Sequence, residues 1–130
     1  MNLNTALRIS ASGLAAERFR LDVISANIAN ANTVKTAGKD PYRRREVEIT
    51  GDAEGVHIGR VVEDQRPFRQ VSEPGNPNAD PKTGLVTYSN VEPLEEMVNM
   101  ISASRAYEAN IAAFNSARGM IRDALQIGKI

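Results

Sequence analysis

From Asn90 to Gly128 the apolar positions return at steps of three or four: Leu94, Met97, Ile101, Ser104, Tyr107, Ile111, Phe114, Arg118, Ile121 and Leu125. A mean spacing of about 3.4 lies near the coiled-coil value and predicts one long helix whose seam needs a partner helix. Start signals are present in Asn90 or Glu92 as N-cap, Pro93 in the first turn, and Glu92, Glu95 and Glu96 where the helix dipole favours acid. Gly128 stops the helix, with Arg118, Arg122 and Lys129 near its end. Some 35 residues make a rod of about 52 Å, longer than a domain of this size is wide. Between Met97 and Ala117 the only charged residues are Arg105 and Glu108, while Ala103, Ala106, Ala109, Ala112 and Ala113 line the flanks. Alanine propensity alone does not remove Lys and Glu from a solvated surface, so lateral packing against several neighbours is expected.

The other end of the chain repeats the pattern. Residues 2 to about 30 place Leu3, Leu7, Ser10, Leu14, Glu17 or Arg18, Leu21, Ile24 and Ile28 at a period of about 3.6. Gly13, beside Ser10, Ser12 and Ala16, costs about 1 kcal/mol relative to alanine in mid-helix, which close approach by another helix would offset. Two complementary seams at opposite ends of a chain most simply pair antiparallel, with everything between them as a head. The expected fold is mainly α with a small β region. Residues 1–32 and 91–130 form an antiparallel coiled coil, and residues 33–90 form a middle segment of short strands and loops.

Within that middle segment Tyr42–Thr50 alternates at its end, Gly55–Val62 reads as a second strand and Gly84–Tyr88 as a third. Ser72–Pro81 is turn chemistry throughout and predicts an extended loop. At the end of the first helix, Ser25-Ala-Asn-Ile-Ala-Asn-Ala-Asn-Thr33 brings three asparagines into an apolar pattern. Asparagine suits a ragged C-cap followed by turns. Asn27 and Asn30 also share one side, which suits amides bonding the backbone of a neighbour. Spacing alone leaves both readings open.

Composition narrows the function. Sixteen basic and sixteen acidic residues balance, which argues against a nucleic-acid binder. The absence of cysteine excludes disulfides and thiolate metal sites. No apolar run approaches transmembrane length, and Met1–Arg8 lacks the features of a cleavable signal peptide. His57 is the single histidine and reads as a half-exposed strand residue. Asp22, Asp40, Asp52, Asp64 and Asp80 have no metal-ligand spacing, and no nucleophile elbow, phosphate loop or zinc signature is present. No catalytic, metal or cofactor residue is therefore expected. The run Arg43-Arg-Arg45 puts Arg44 on one strand face and its neighbours on the other, and reads as a solvated edge.

The asparagine cluster resembles the Ala-Asn-x-x-Ala-Asn-x-Asn-Thr signature that closes the N-terminal helix of the axial proteins of the bacterial flagellum. Those proteins usually continue into a Gly-Phe or Gly-Tyr step, where this chain has Thr36-Ala-Gly-Lys-Asp-Pro-Tyr-Arg. That departure, with Glu73-Pro-Gly-Asn-Pro-Asn-Ala-Asp80 and Glu96-Met-Val-Asn-Met-Ile-Ser-Ala-Ser-Arg-Ala-Tyr-Glu-Ala-Asn110, is similar to the proximal rod members of the family across nearly the whole chain. The resemblance implies a non-catalytic rod subunit without cofactors, exported through the flagellar type III apparatus to the periplasm without a cleaved signal. It would stack helically with its own copies around an export channel and transmit torque. Implied neighbours are the rod proteins FlgB, FlgF and FlgG, with FliE and the membrane-embedded MS ring at the base. No small-molecule or nucleic-acid partner is implied. Assembly would use Leu3, Leu7, Leu14, Leu21, Asn27, Ile28, Asn30, Asn32, Met97, Ile101, Tyr107, Ile111, Phe114, Ile121 and Leu125. Two other classes fit the residues less well. A soluble helical adaptor or export chaperone with a β head would be a stable dimer, and a cell-wall enzyme would need paired acids in a groove.

Overall fold

The structure is a computed structural model that describes residues 2–129. Two long helices, α1 (Leu3–Ala29) and α2 (Pro93–Ile127), enclose four short strands: β1 (Arg45–Asp52), β2 (Gly55–Glu63), β3 (Arg69–Ser72) and β4 (Leu85–Tyr88). Asn2 caps α1, its side-chain oxygen accepting the Thr5 backbone N–H at 2.7 Å. Asn30 closes α1, and its side-chain amide donates to the Ala26 carbonyl at 2.8 Å. For α2, Glu92 is the N-cap residue, without a side-chain cap bond, and Pro93 opens the first turn. Asn90 lies outside the helix and is buried. Gly128 closes α2 in right-handed conformation at φ −69°, so its left-handed freedom is unused, and the last turn carries no basic residue.

The seam of α2 differs in phase from the sequence expectation. The ten expected positions run from Leu94 to Leu125 in steps of about 3.4, shorter than the helical 3.6, so the set slips by roughly 140° from first to last. The positions withdrawn from solvent at helical spacing are instead Glu96, Met100, Ala103, Tyr107, Asn110, Phe114, Ala117 and Ile121, with Ser104 and Ala106 half-buried beside them. Ser104, Tyr107, Phe114 and Ile121 are expected positions that the structure also withdraws from solvent, because the slip brings the expected stripe onto the true one only along the later part of the helix. Met97, Ile101 and Ile111 are exposed and do not form the seam with α1.

Contacts run in opposite order along the two helices. Asn27 bonds Glu96, Gly13 meets Asn110, and Leu3 lines a groove with Leu125. The close approach expected at Gly13 is present: a Cβ there would lie 2.8 Å from the Asn110 amide nitrogen. Leu125 remains exposed, in the groove beside the first turn of α1.

The strands form two antiparallel pairs, β1 with β2 and β3 with β4. Glu48 pairs Arg60 and Ile49 pairs Ile58, so Gly59 is the extra residue of a bulge. Residues 33–35 run along the other edge of β4, with Lys35 N–H donating to the Thr87 carbonyl at 2.8 Å and Ser89 N–H to the Thr33 carbonyl at 3.1 Å. β3 is an addition to the three expected strands. Its four residues hold one apolar side chain, Val71, so only its partner β4 defines it.

The β1–β2 hairpin lies back along α1 rather than standing beyond the helix ends. Asn27 touches Arg45 at one end of it, and Ser12 touches Val56 at the other. Fifteen positions of α1 separate Asn27 from Ser12, about 22 Å at 1.5 Å per residue, and eight strand residues at about 3.3 Å each span that distance. Ser12 Oγ donates to the Ile9 carbonyl at 2.7 Å and accepts Val56 N–H at 2.9 Å. Gly55 makes this contact possible. Its φ of +138° excludes ordinary side chains, and a Cβ would fall 2.5 Å from Ser12 Oγ. Gly55→Ala is therefore expected to destabilise by about 2–4 kcal/mol, strain and overpacking together, and to raise hydrogen exchange at Val56. Unchanged protection of the Val56 amide would show that the hairpin does not rest on α1.

Candidate functional site

Where the two helices meet the middle segment, five separate stretches of chain close on a buried polar junction. Asn27 is fully buried and uses the whole capacity of its amide. Its nitrogen donates to the Arg45 carbonyl at 2.8 Å and to Glu96 Oε2 at 3.0 Å. Its oxygen accepts Tyr42 O–H at 2.8 Å and Arg45 N–H at 3.1 Å. Glu96, fully buried on the first turn of α2, takes Arg44 Nε on its other oxygen. Arg44, only 5% exposed, extends Nη1 to Asp64 at 3.3 Å. Asn90 accepts Arg44 N–H at 2.7 Å and donates to the carbonyls of Asp64 and Arg66 at 3.0 and 3.1 Å. Arg66 closes the ring, bonding Asp64 and reaching Glu95 at 3.1 Å.

The charges are matched, as burial requires. Burial alone disfavours the Arg44 guanidinium, but the hydrogen bond and charge of Glu96 raise its pKa above the usual arginine value. Burial raises Tyr42, which keeps its O–H available to Asn27. The Arg66 side chain holds the Asp64 carboxyl below its usual range. A lowered folded pKa contributes stability that is complete above the unfolded value, near 4, and is lost as pH falls through the folded value. The junction is thus expected to loosen below about pH 4. Comparing acid unfolding of wild type with Asp64→Asn checks this: the variant should lose less stability over that interval, and superimposable acid profiles would remove Asp64 from the account.

The run Arg43–Arg45 is not a solvated edge. Arg44 is buried, and Arg43 stacks over the Phe68 ring with its guanidinium carbon 4.2 Å from the centroid, while Arg45 is exposed. Sequence reasoning missed Arg44, Asn90 and Glu96. Glu96 had one available signal, its place in the correctly phased seam of α2.

Of the residues singled out from sequence, Leu3, Leu7, Leu14, Leu21 and Ile28 are half-buried along α1. Asn30 is the half-buried C-cap and Asn32 is exposed. Tyr107, Phe114 and Ile121 are half-buried. Two apolar surfaces stay open. Leu94, Met97, Val98 and Ile101, between 52% and 76% exposed, form a stripe on the face of α2 turned away from the seam. At the far end Leu3 and Ala6 of α1 with Ile121 and Leu125 of α2 line an open groove of about 700 Å³. Ala109, Ala112 and Ala113 are exposed between the two. Among the described residues no group of three or more His, Asp or Glu is placed to hold a metal. His57 is exposed beside Asp52 at 3.2 Å. No described helix is long and apolar enough to cross a membrane.

Residues 7–35 match the family described as Flagella basal body rod protein, and residues 82–127 match Flagellar basal body rod FlgEFG protein C-terminal. The flagellar basal-body rod protein FlgC of Salmonella typhimurium is 42% identical, the alignment covering 93% of this chain and 94% of the relative. FlgC of Bacillus subtilis is 37% identical over 95% and 96% of the two chains. FlgC of Aquifex aeolicus is 40% identical over 88% and 89%.

Proposed function

Since the chain belongs to the FlgC family of flagellar basal-body rod proteins, we propose that it builds the proximal rod by packing its two terminal helices against neighbouring subunits. The family is structural and not enzymatic, its place is the flagellar basal body, and membership implies assembly with other basal-body components. In the proposed arrangement residues 1–32 and 91–130 form an antiparallel coiled coil that faces inward, and residues 33–90 lie outside it. Copies of the chain then stack with FlgB, FlgF and FlgG, above FliE and the MS ring, as a tube around the export channel that carries torque. The chain reaches the periplasm through the type III apparatus.

The observation that carries the reading is the exposed stripe Leu94, Met97, Val98 and Ile101. A stripe of large apolar residues on the outer face of a helix is a surface waiting for a neighbour. The coiled coil is supported by matching steps. Gly13 to Asn27 on α1 and Asn110 to Glu96 on α2 are both fourteen residues, two heptads, between successive contacts of the two helices. The assembly roles of Leu3, Leu7, Leu14, Leu21, Ile28 and the later seam residues rest on the same pairing.

The test is an Ile101→Asp chain expressed in cells that lack the wild-type protein. Its side chain points to solvent in the single chain, so it should fold and be exported yet be missing from isolated basal bodies. Recovery at wild-type level in those basal bodies would show that this face is not an assembly surface. A stable folded dimer of the purified wild type at micromolar concentration would favour the adaptor or chaperone.

A further inference from the structure

The β1–β2 hairpin has a free edge beside α2. Asp64 N–H donates to the Arg44 carbonyl at 2.8 Å and Glu46 pairs Val62 in the same register, so Arg45 and Val47 turn their backbone groups outward, away from β2. At Arg45 the outward rung is filled. Asn27 accepts its N–H at 3.1 Å and donates to its carbonyl at 2.8 Å, the two bonds that a neighbouring strand would make. One rung further, at Val47, β1 has no strand beside it other than β2, and the edge opens on a cavity of about 360 Å³ between β1, α1 and α2. In the wall of this cavity Glu17 Oε2 is buried without a hydrogen-bond partner, with Arg20 Nη1 3.5 Å away. Such an atom calls for a donor. The charges around it cancel, Glu17, Glu46 and Glu96 against Arg20, Arg44 and Arg45. Of these, Arg44 and Glu96 are bonded to each other, and Glu46 lies 3.7 Å from Arg44. A site of no net charge with an open backbone rung suits a peptide group, donor and acceptor together, rather than an ion.

We propose that an extended peptide segment of a different basal-body protein lies in this cavity, adds to the edge of β1 at the Val47 rung and donates a hydrogen bond to Glu17. This rests on the rod reading only in requiring partners in the basal body. A second copy of this chain has no segment to offer. Its four strands are already paired. Its long loop is closed on itself, with Glu73 N–H donating to the Gly84 carbonyl and Asp80 N–H to the Leu85 carbonyl, both at 2.9 Å. Main-chain pairing at a strand edge supplies affinity with little demand on sequence, and the Glu17 contact supplies the selection.

The chain has no cysteine, so Asn99→Cys, in the cavity wall, can carry a single benzophenone maleimide. Basal bodies isolated from cells making this full-length variant in place of the wild type are labelled, irradiated and digested, and the linked peptides are identified by mass. The expected result is a link to one contiguous segment of one other protein. Val47→Pro in the same chain should lower that link several-fold, because proline removes the outward N–H and leaves the inward bonds of Glu46 and Glu48 to β2 in place. Val47→Ala, which keeps the N–H, should not. Glu17→Leu should lower the link several-fold as well, since the donor of the inserted segment is then left unmatched. Equal links in Val47→Pro and Val47→Ala overturn the proposal, as do links to copies of this chain alone or to no protein. If Val47→Pro loses protection of the Glu48 amide, and with it the hairpin, Glu17→Leu decides by itself. Absence of the wild-type chain from basal bodies would end the rod reading and this inference together, whereas its presence there without the link would end this inference alone.

Discussion

Glu96→Leu is expected to lower the free energy of unfolding by about 3–5 kcal/mol, the usual consequence of removing one member of a buried ion pair. The leucine fits an apolar environment well enough. The loss arises because Arg44 stays 5% exposed with its Nε unmatched, and because one Asn27 donor loses its acceptor at the same time. Asp64, at 3.3 Å from Arg44 Nη1, offsets part of the charge but already serves Arg66. Arg44→Met combined with Glu96→Leu should be clearly more stable than Glu96→Leu alone, because no charge is then stranded. Urea titration followed by circular dichroism across the four proteins of this cycle gives the coupling directly. If Glu96→Leu fell within about 1 kcal/mol of wild type, water would have to be solvating Arg44, and the junction would not be the closed structure described.

Asn27→Leu should cost a comparable amount, about 3 kcal/mol or more, although it places an apolar residue in a buried site. Four partners are left without Asn27: Tyr42 O–H, Arg45 N–H, the Arg45 carbonyl and Glu96 Oε2. Each unmatched buried group costs about 1–3 kcal/mol, and because they share one side chain the values will not add. Asn30→Ala, three residues along, is the contrasting case. It removes a bond from the side-chain amide to Ala26 at the exposed end of α1 and should stay within about 1 kcal/mol. The readout is the urea midpoint together with exchange of the Arg45 amide, which should accelerate strongly in Asn27→Leu and hardly at all in Asn30→Ala. Similar small effects in both would return the two asparagines to the equal footing their spacing suggests.

Those two asparagines show where reading from sequence stops. Their spacing allows a C-cap or a bond to distant backbone, and the chain uses Asn30 for the first and Asn27 for the second, within itself. Helical position distinguishes them only once the direction of the partner helix is known. Arg44 and Glu96 teach the same lesson. As isolated residues they read as a strand-edge charge and a helix-dipole acid, because nothing local to either predicts burial. The 52 positions that separate them are closed by the tertiary fold.

By itself the sequence determined that two long helices bracket a turn-rich segment of short strands, along with the family to which the chain is similar. Those features depend on caps, prolines and periodicity acting over a few neighbouring residues, and on a motif written in contiguous letters. Only the tertiary structure decided which face of α2 is the seam, that the β1–β2 hairpin lies back along α1, and that β3 is a strand at all. The physical reason is that α2 carries apolar residues on more than one side, so its period does not choose a phase. The choice falls to whichever face can satisfy Glu96 with Arg44 and Asn27 while admitting Asn110 against the bare backbone of Gly13.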